Sequence, residues 1–246
     1  MFFKIILFSR LGLLIIFSVL LPFVFTMMKD VRPLSEMSRF SLFIYRIFFG
    51  DVRIGADSEY VVPISWIFIY SYLCFIIRGL PIERSLSCET SYIIHLQNRL
   101  NWWAAKCISS LLLTIFFFLI IYIEAFISSL LDKNACFSIM GENAIILAMP
   151  IAVGVHTVFL QLLLNLTINP MLSYIFSVGS LILSTYVCNR FLPGYYSQML
   201  RLELDNFVYA KPGLVYLFIL TLLYIFTGYF IIRKKDFIPN AGEQND

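Results

Sequence analysis

Six stretches of this 246-residue chain are long and apolar enough to cross a lipid bilayer, and that feature excludes most folds at once. A helix needs about 20 predominantly apolar residues to span the hydrocarbon core. The stretches lie at about 11–28, 62–80, 103–131, 144–166, 171–188 and 213–232. The composition agrees: 60% of residues are hydrophobic and only 13% are charged, against about 25% charged in a soluble domain. Mean hydropathy is +0.86. A soluble protein of this size would have too little polar surface to cover its core, whereas lipid accepts apolar surface. The expected fold class is an all-α polytopic membrane protein, with residues 1–246 forming one transmembrane domain.

The N-terminal MFFKIILFSRLGLLIIFSVLLPFVF resembles a signal peptide, but its apolar run is long and no small-residue cleavage site follows. It is read as an uncleaved first span. Only a few residues around Asn169-Pro170 separate the fourth span from the fifth, which predicts an antiparallel hairpin. Pro170 suits the first turn of the following helix. Six spans put both termini on one side. Basic residues are evenly divided between the two sides, but Arg233, Lys234 and Lys235 cluster at a helix end. The positive-inside rule then favours cytoplasmic termini.

Two outer segments carry structure of their own. SLFIYRIFFG at 41–50 is an aromatic run broken by Arg46, which suits a short helix lying in the membrane interface. NRFLPGYYSQMLRLELDNFVYAKPG at 189–213 mixes polar and apolar residues between two Pro-Gly pairs. It is expected to be an amphipathic surface helix or a re-entrant hairpin before the sixth span.

The stretch HLQNRLNWWAAKCISSLLL at 95–113 stands at the mouth of the third span. Arg99 and Lys106 are seven residues apart, so they share a helix face. Trp102 and Trp103 fit interface anchors, with indole rings at headgroup depth. Before them runs GLPIERSLSCETSYIIHLQNR at 79–99, far longer than a helix hairpin needs. It places Glu83, Arg84 and Glu89 beside Leu86, Tyr92 and Ile93. Such a cytoplasmic excursion can dock onto another protein.

Polar residues at membrane depth are candidate functional positions. Glu124 lies near the outer end of the third span, and either reaches the interface or lines a path. His156 and Gln161 lie five apart in the fourth span, so they face directions about 140° apart on a straight helix. They do not make one site. His156 is read as a hydrogen-bonding partner for a neighbouring helix, because a lone histidine cannot build a zinc site. No metal site is expected. The five cysteines form no C-x-x-C and read as buried thiols. A net charge of +3 with no basic aromatic stripe argues against nucleic acid. GDVRIGAD at 50–57 lacks the lysine and hydroxyl of a phosphate-binding loop, and no GxGxxG, HExxH or GxSxG occurs.

These features together resemble ABC-2 type permeases. The shared pattern is six spans, an excursion between spans two and three, and the R-x-x-WW-x-x-K start of span three. The short hairpin between spans four and five and the ending GYFIIRKKDF at 228–237 belong to it too. More narrowly, IFFGD at 47–51, VVPISWIFIYSYL at 61–73 and NRLNWWAAKC at 98–107 are similar to compact bacterial permeases of peptide export or bacteriocin immunity. Asn98, Leu100 and Asn101 depart from the serine-rich basic turn that the family often has there. The resemblance implies a bacterial cytoplasmic membrane protein that pairs with a second permease copy or a related permease. It implies a cytoplasmic ABC ATPase partner, which holds ATP and Mg, while this chain binds no cofactor. The coupling residues would be Glu83, Arg84, Arg99 and Lys106, and the substrate an amphipathic or antimicrobial peptide. An alternative from another class is a non-transporting membrane scaffold or sensor that uses the excursion to bind a partner. A polytopic membrane enzyme fits least, since no paired carboxylates, nucleophile motif or metal cluster lies at membrane depth.

Overall fold

A computed structural model describes residues 63–78, 99–130, 141–187, 189–205 and 207–234, together with Ile44, Ile47 and Phe48. The elements are α1 (Ile64–Arg78), α2 (Arg99–Leu130), α3 (Gly141–Asn165) and α4 (Pro170–Tyr186). A 3-10 helix (Pro193–Ser197), the short α5 (Met199–Leu204) and α6 (Ala210–Lys234) complete the order. The described residues contain no strand. Each of the five expected spans from residue 62 onward coincides with one helix. Three stretches are long and apolar enough to cross a membrane: Leu100–Ile127, Leu147–Asn165 and Ala210–Lys234. α1 and α4 supply shorter apolar helices. The first expected span, at 11–28, lies outside the described residues, as do Glu83, Arg84, most of the 79–99 excursion and the GDVRIGAD stretch.

Local chemistry sets the hairpin between α3 and α4. α3 unwinds through Leu166 and Thr167, whose amides bond to Leu163 and Leu164 carbonyls at 3.1 and 2.9 Å. Asn169 then caps α4, its Oδ1 accepting the Met171 amide at 2.8 Å. Pro170 takes the first helical position, where a missing N–H costs nothing.

α3 sits at the centre, touching α1, α2, α4, α6 and the 3-10 helix. Named contacts give the directions. Tyr70 of α1 meets Pro150, and Cys74 meets Gln161, so α1 and α3 run parallel. Phe118 of α2 packs on Gly154 and Tyr122 reaches Leu147, so α2 and α3 run antiparallel. The core is aromatic: the Tyr70 and Phe118 rings lie 6.0 Å apart, with Phe48 at 6.2 Å from each. The outward faces of α2 and α6 show Ile115, Leu119, Ile123, Phe218, Ile219 and Phe226. Such faces suit lipid, which offers nothing to a polar side chain.

Pro150 interrupts α3 without breaking it. A proline removes one backbone donor and pushes against the preceding turn. Here the Tyr122 hydroxyl donates to the Leu147 carbonyl at 2.6 Å and the Tyr70 hydroxyl to the Pro150 carbonyl at 3.0 Å. Tyrosines from two neighbouring helices therefore tie α1 and α2 to α3 close to the proline.

One expectation changes. The 41–50 stretch reads as a helix lying on the membrane surface, yet its described residues Ile44, Ile47 and Phe48 are fully buried. Ile44 and Ile47 are helical, as expected, with the Phe48 amide bonding the Ile44 carbonyl at 3.1 Å; what changes is that this stretch is buried. Burial of Phe48 between Tyr70 and Phe118 removes more apolar surface from polar surroundings than lying at an interface would.

Candidate functional site

The start of α2 carries four of the residues singled out in the sequence. The helix begins at Arg99, so Arg99, Trp102, Trp103 and Lys106 all belong to one rigid element. Trp102 and Trp103 are buried, which the anchor reading did not foresee. The Trp103 indole donates to the Ile225 carbonyl of α6 at 3.1 Å and packs closely against Gly228. A Cβ at residue 228 would clash with the ring's Cζ2, so only glycine allows the approach. The Lys106 ammonium is buried and sits 4.5 Å from the centre of the Trp102 ring. A cation over an indole face is favourable, more so when desolvated. The junction thus ties the first turns of α2 to the last turns of α6.

The three intramembrane candidates do not converge. His156 faces α6, its ring 5.2 Å from that of Tyr224. Its buried Nδ1 has no hydrogen-bond partner, so the expected bond to a neighbouring helix is replaced by a ring contact. Gln161 faces α1 and donates from Nε2 to the Cys74 carbonyl at 3.1 Å. Glu124 is half-buried on α2, with Oε2 shielded and without a hydrogen-bond partner. Among the described residues, no three His, Cys, Asp or Glu side chains gather as a metal site would require. Buried polar atoms without a protein partner recur along the bundle: Ser110 Oγ, His156 Nδ1, Gln161 Oε1 and both amide atoms of Gln198. Each is a place where water or a polar ligand would gain a hydrogen bond.

The opposite end of the bundle holds a site that sequence reading missed. After α4 the chain turns back, and the 3-10 helix packs against both α3 and α4. Gly194, Tyr195, Tyr196, Ser197 and Gln198 are all buried, so this segment packs into the bundle. The Trp66 indole donates to Ser197 Oγ at 2.9 Å. Gly194 is pressed against the Ser184 side chain and the Trp66 ring, leaving no room for a Cβ.

Arg201 closes this end. A helix leaves its last four carbonyls without internal donors. In α4, Leu183 accepts the Val187 amide at 2.9 Å. The next two carbonyls, of Ser184 and Thr185, accept from Arg201 Nη1 and Nη2 at 2.5 and 2.6 Å. The guanidinium is buried, and its positive charge complements the negative end of the helix dipole. Tyr195 stands beside it and donates to Asp205, which Arg190 also approaches at 3.5 Å. Burial, reinforced by the bond to Asp205, pushes the Tyr195 hydroxyl up to about 12, so it remains a donor. The Met199 amide reaches across to the Phe48 carbonyl at 2.8 Å, fixing Phe48 to the cap. No sequence signal marks Arg201, because its partners are backbone carbonyls that any residue could supply.

No family model, no curated protein and no solved structure matches this chain.

Proposed function

We propose that this chain is the membrane subunit of an ABC-type exporter, with six spans made by the 11–28 segment, α1–α4 and α6. In this reading both termini are cytoplasmic and ATP is hydrolysed on a separate subunit. The exported substrate is an amphipathic or antimicrobial peptide. The observation that carries the reading is the continuity of α2 from Arg99 to Leu130 and its junction with α6 through Trp103. Proline is the commonest cause of a helix kink, and α2 is one continuous helix without one. Displacement of the 79–98 excursion by an ATPase would therefore move α2 as a rod, and Trp103 would carry that motion to α6.

The interior of one bundle is filled by Trp66, Tyr70, Phe117 and Phe118. A peptide-wide path then runs between two copies, or between this chain and a related permease. The partnerless polar atoms at Ser110, Gln161 and Gln198 support movement within the bundle, since rearrangement would let them find partners.

The test is a mild-detergent pull-down of the tagged chain, expressed with the products of its neighbouring genes. The intact chain should retain an ATPase, and the Glu83→Lys, Arg84→Glu variant should lose it. If the intact complex contains no nucleotide-binding protein, the exporter reading fails and the scaffold or sensor reading replaces it. If an ATPase is retained by both forms, the coupling contact lies elsewhere than Glu83 and Arg84.

A further inference from the structure

α6 provides a ruler for depth. Lys211 in its first turn and Arg233 and Lys234 in its last are exposed, and the face between them is apolar. Lys211 and Arg233 are about 33 Å apart at 1.5 Å per residue. The hydrocarbon core is about 30 Å thick. Lys211 therefore stands at one headgroup layer when α6 spans the bilayer. Two contacts hold the loop after α4 at the same depth. The Tyr216 hydroxyl donates to the Phe191 carbonyl at 2.8 Å, and the Arg190 guanidinium lies 3.6 Å from the centre of the Tyr209 ring.

The three most exposed large hydrophobic side chains among the described residues all lie at this end: Phe191 at 77%, Ile64 at 75% and Val208 at 65%. Phe191 follows Arg190 directly in the chain, and Val208 lies three residues before Lys211, next to the Tyr209 ring on which Arg190 rests. Apolar tips beside basic groups match the boundary where acyl chains meet phosphates. Asp205 is already engaged by Tyr195 and Arg190, so it only partly offsets the two cations. A guanidinium has five N–H donors in a planar fork suited to phosphate oxygens, and the contacts of Arg190 with Tyr195 and Asp205 use only part of that fork.

We propose that Arg190 and Lys211, with Phe191 and Val208 beside them, form a binding rim for the phosphate of an anionic phospholipid. The rim rests on the membrane placement of α6 and does not depend on an ATPase partner. Its basic pair selects a lipid with net negative charge over one whose phosphate is balanced by an ammonium group, and its apolar tips hold the acyl chains. Asp205 keeps Arg190 oriented over Tyr209 when no headgroup is present.

A Val208→Trp reporter in the full-length chain, reconstituted into bilayers, tests this directly. The native Trp66, Trp102 and Trp103 are buried, so a brominated lipid at the rim quenches the reporter first. Brominated phosphatidylglycerol should quench in preference to brominated phosphatidylcholine by about fivefold for each basic side chain engaged. The preference should weaken with salt and vanish in the Arg190→Gln, Lys211→Gln variant. Removing Arg190 also breaks an ion pair, so Lys211→Gln alone serves as a second variant and should lose part of the preference. Equal quenching by the two lipids, or a preference that survives the double variant, overturns the proposal. Displacement of phosphatidylglycerol by inorganic phosphate, but not by chloride at the same ionic strength, overturns it in favour of a soluble anion.

Discussion

The two ends of the bundle are held together by different physics. Where α2 meets α6, both chains are regular helices whose backbones satisfy themselves, so the junction needs only close packing. Gly228 lets the Trp103 ring approach, and one indole hydrogen bond orients it. At the other end α4 stops, the backbone turns through a 3-10 helix, and carbonyls lose their helical donors. Arg201 is therefore recruited to satisfy the stranded backbone carbonyls, while Trp66 and Tyr195 pin the irregular segment through the side chains of Ser197 and Asp205. In an apolar medium an unsatisfied backbone group costs several kcal/mol. Tight packing suffices where the helix is intact, and polar side chains become necessary where it is not.

That contrast is broken most directly at Arg201. Arg201→Met keeps the length of the side chain but leaves the Ser184 and Thr185 carbonyls uncapped. The expected loss is about 3 kcal/mol, in the range for hydrogen bonds to a charged group, measured by thermal unfolding in detergent. If the loss is below about 0.5 kcal/mol, water reaches this end and the cap is not needed. Gly228→Leu comes next. It drives a side chain into the Trp103 ring and should cost about 2 kcal/mol by overpacking. Under the exporter reading it should also reduce ATP-driven efflux while ATPase binding persists, because the junction and not the docking surface is damaged. Full efflux in a correctly folded Gly228→Leu protein would remove the role assigned to α2.

Trp103→Phe sharpens the comparison further. It keeps the aromatic packing and removes one hydrogen bond, so it should cost about 1 kcal/mol. A much larger loss would mean that the junction is polar in character after all. Ser197→Ala, which removes the acceptor of the Trp66 indole, is the smallest expected effect. Polar contacts between transmembrane helices average about 0.6 kcal/mol. A double-mutant cycle with Trp66→Phe isolates that pair from the packing lost with it.

Much of the framework was legible in the sequence. An apolar run of spanning length forces a helix because lipid offers the backbone no other partner. The helices at 62–80, 103–131, 144–166, 171–188 and 213–232 therefore needed no tertiary information, and the Asn169-Pro170 pair marked the hairpin through its capping chemistry. The separation of His156 from Gln161 followed from helix geometry alone. Rotation about each helix axis was harder to read. Trp102 and Trp103 look alike in an anchor and in a packed junction, and Phe48 looks alike on a surface and in a core, because both environments are apolar.

The sequence by itself determined that this chain makes apolar helices, roughly where each begins, and which polar residues sit among them. Only the tertiary structure decided that α3 is the central helix, that Trp103 rests on Gly228, and that Arg201 caps α4. The reason is physical. Helix formation in lipid is enforced residue by residue through the backbone. Which face turns inward depends on the shapes of side chains more than a hundred residues away, and on which carbonyls a turn happens to strand.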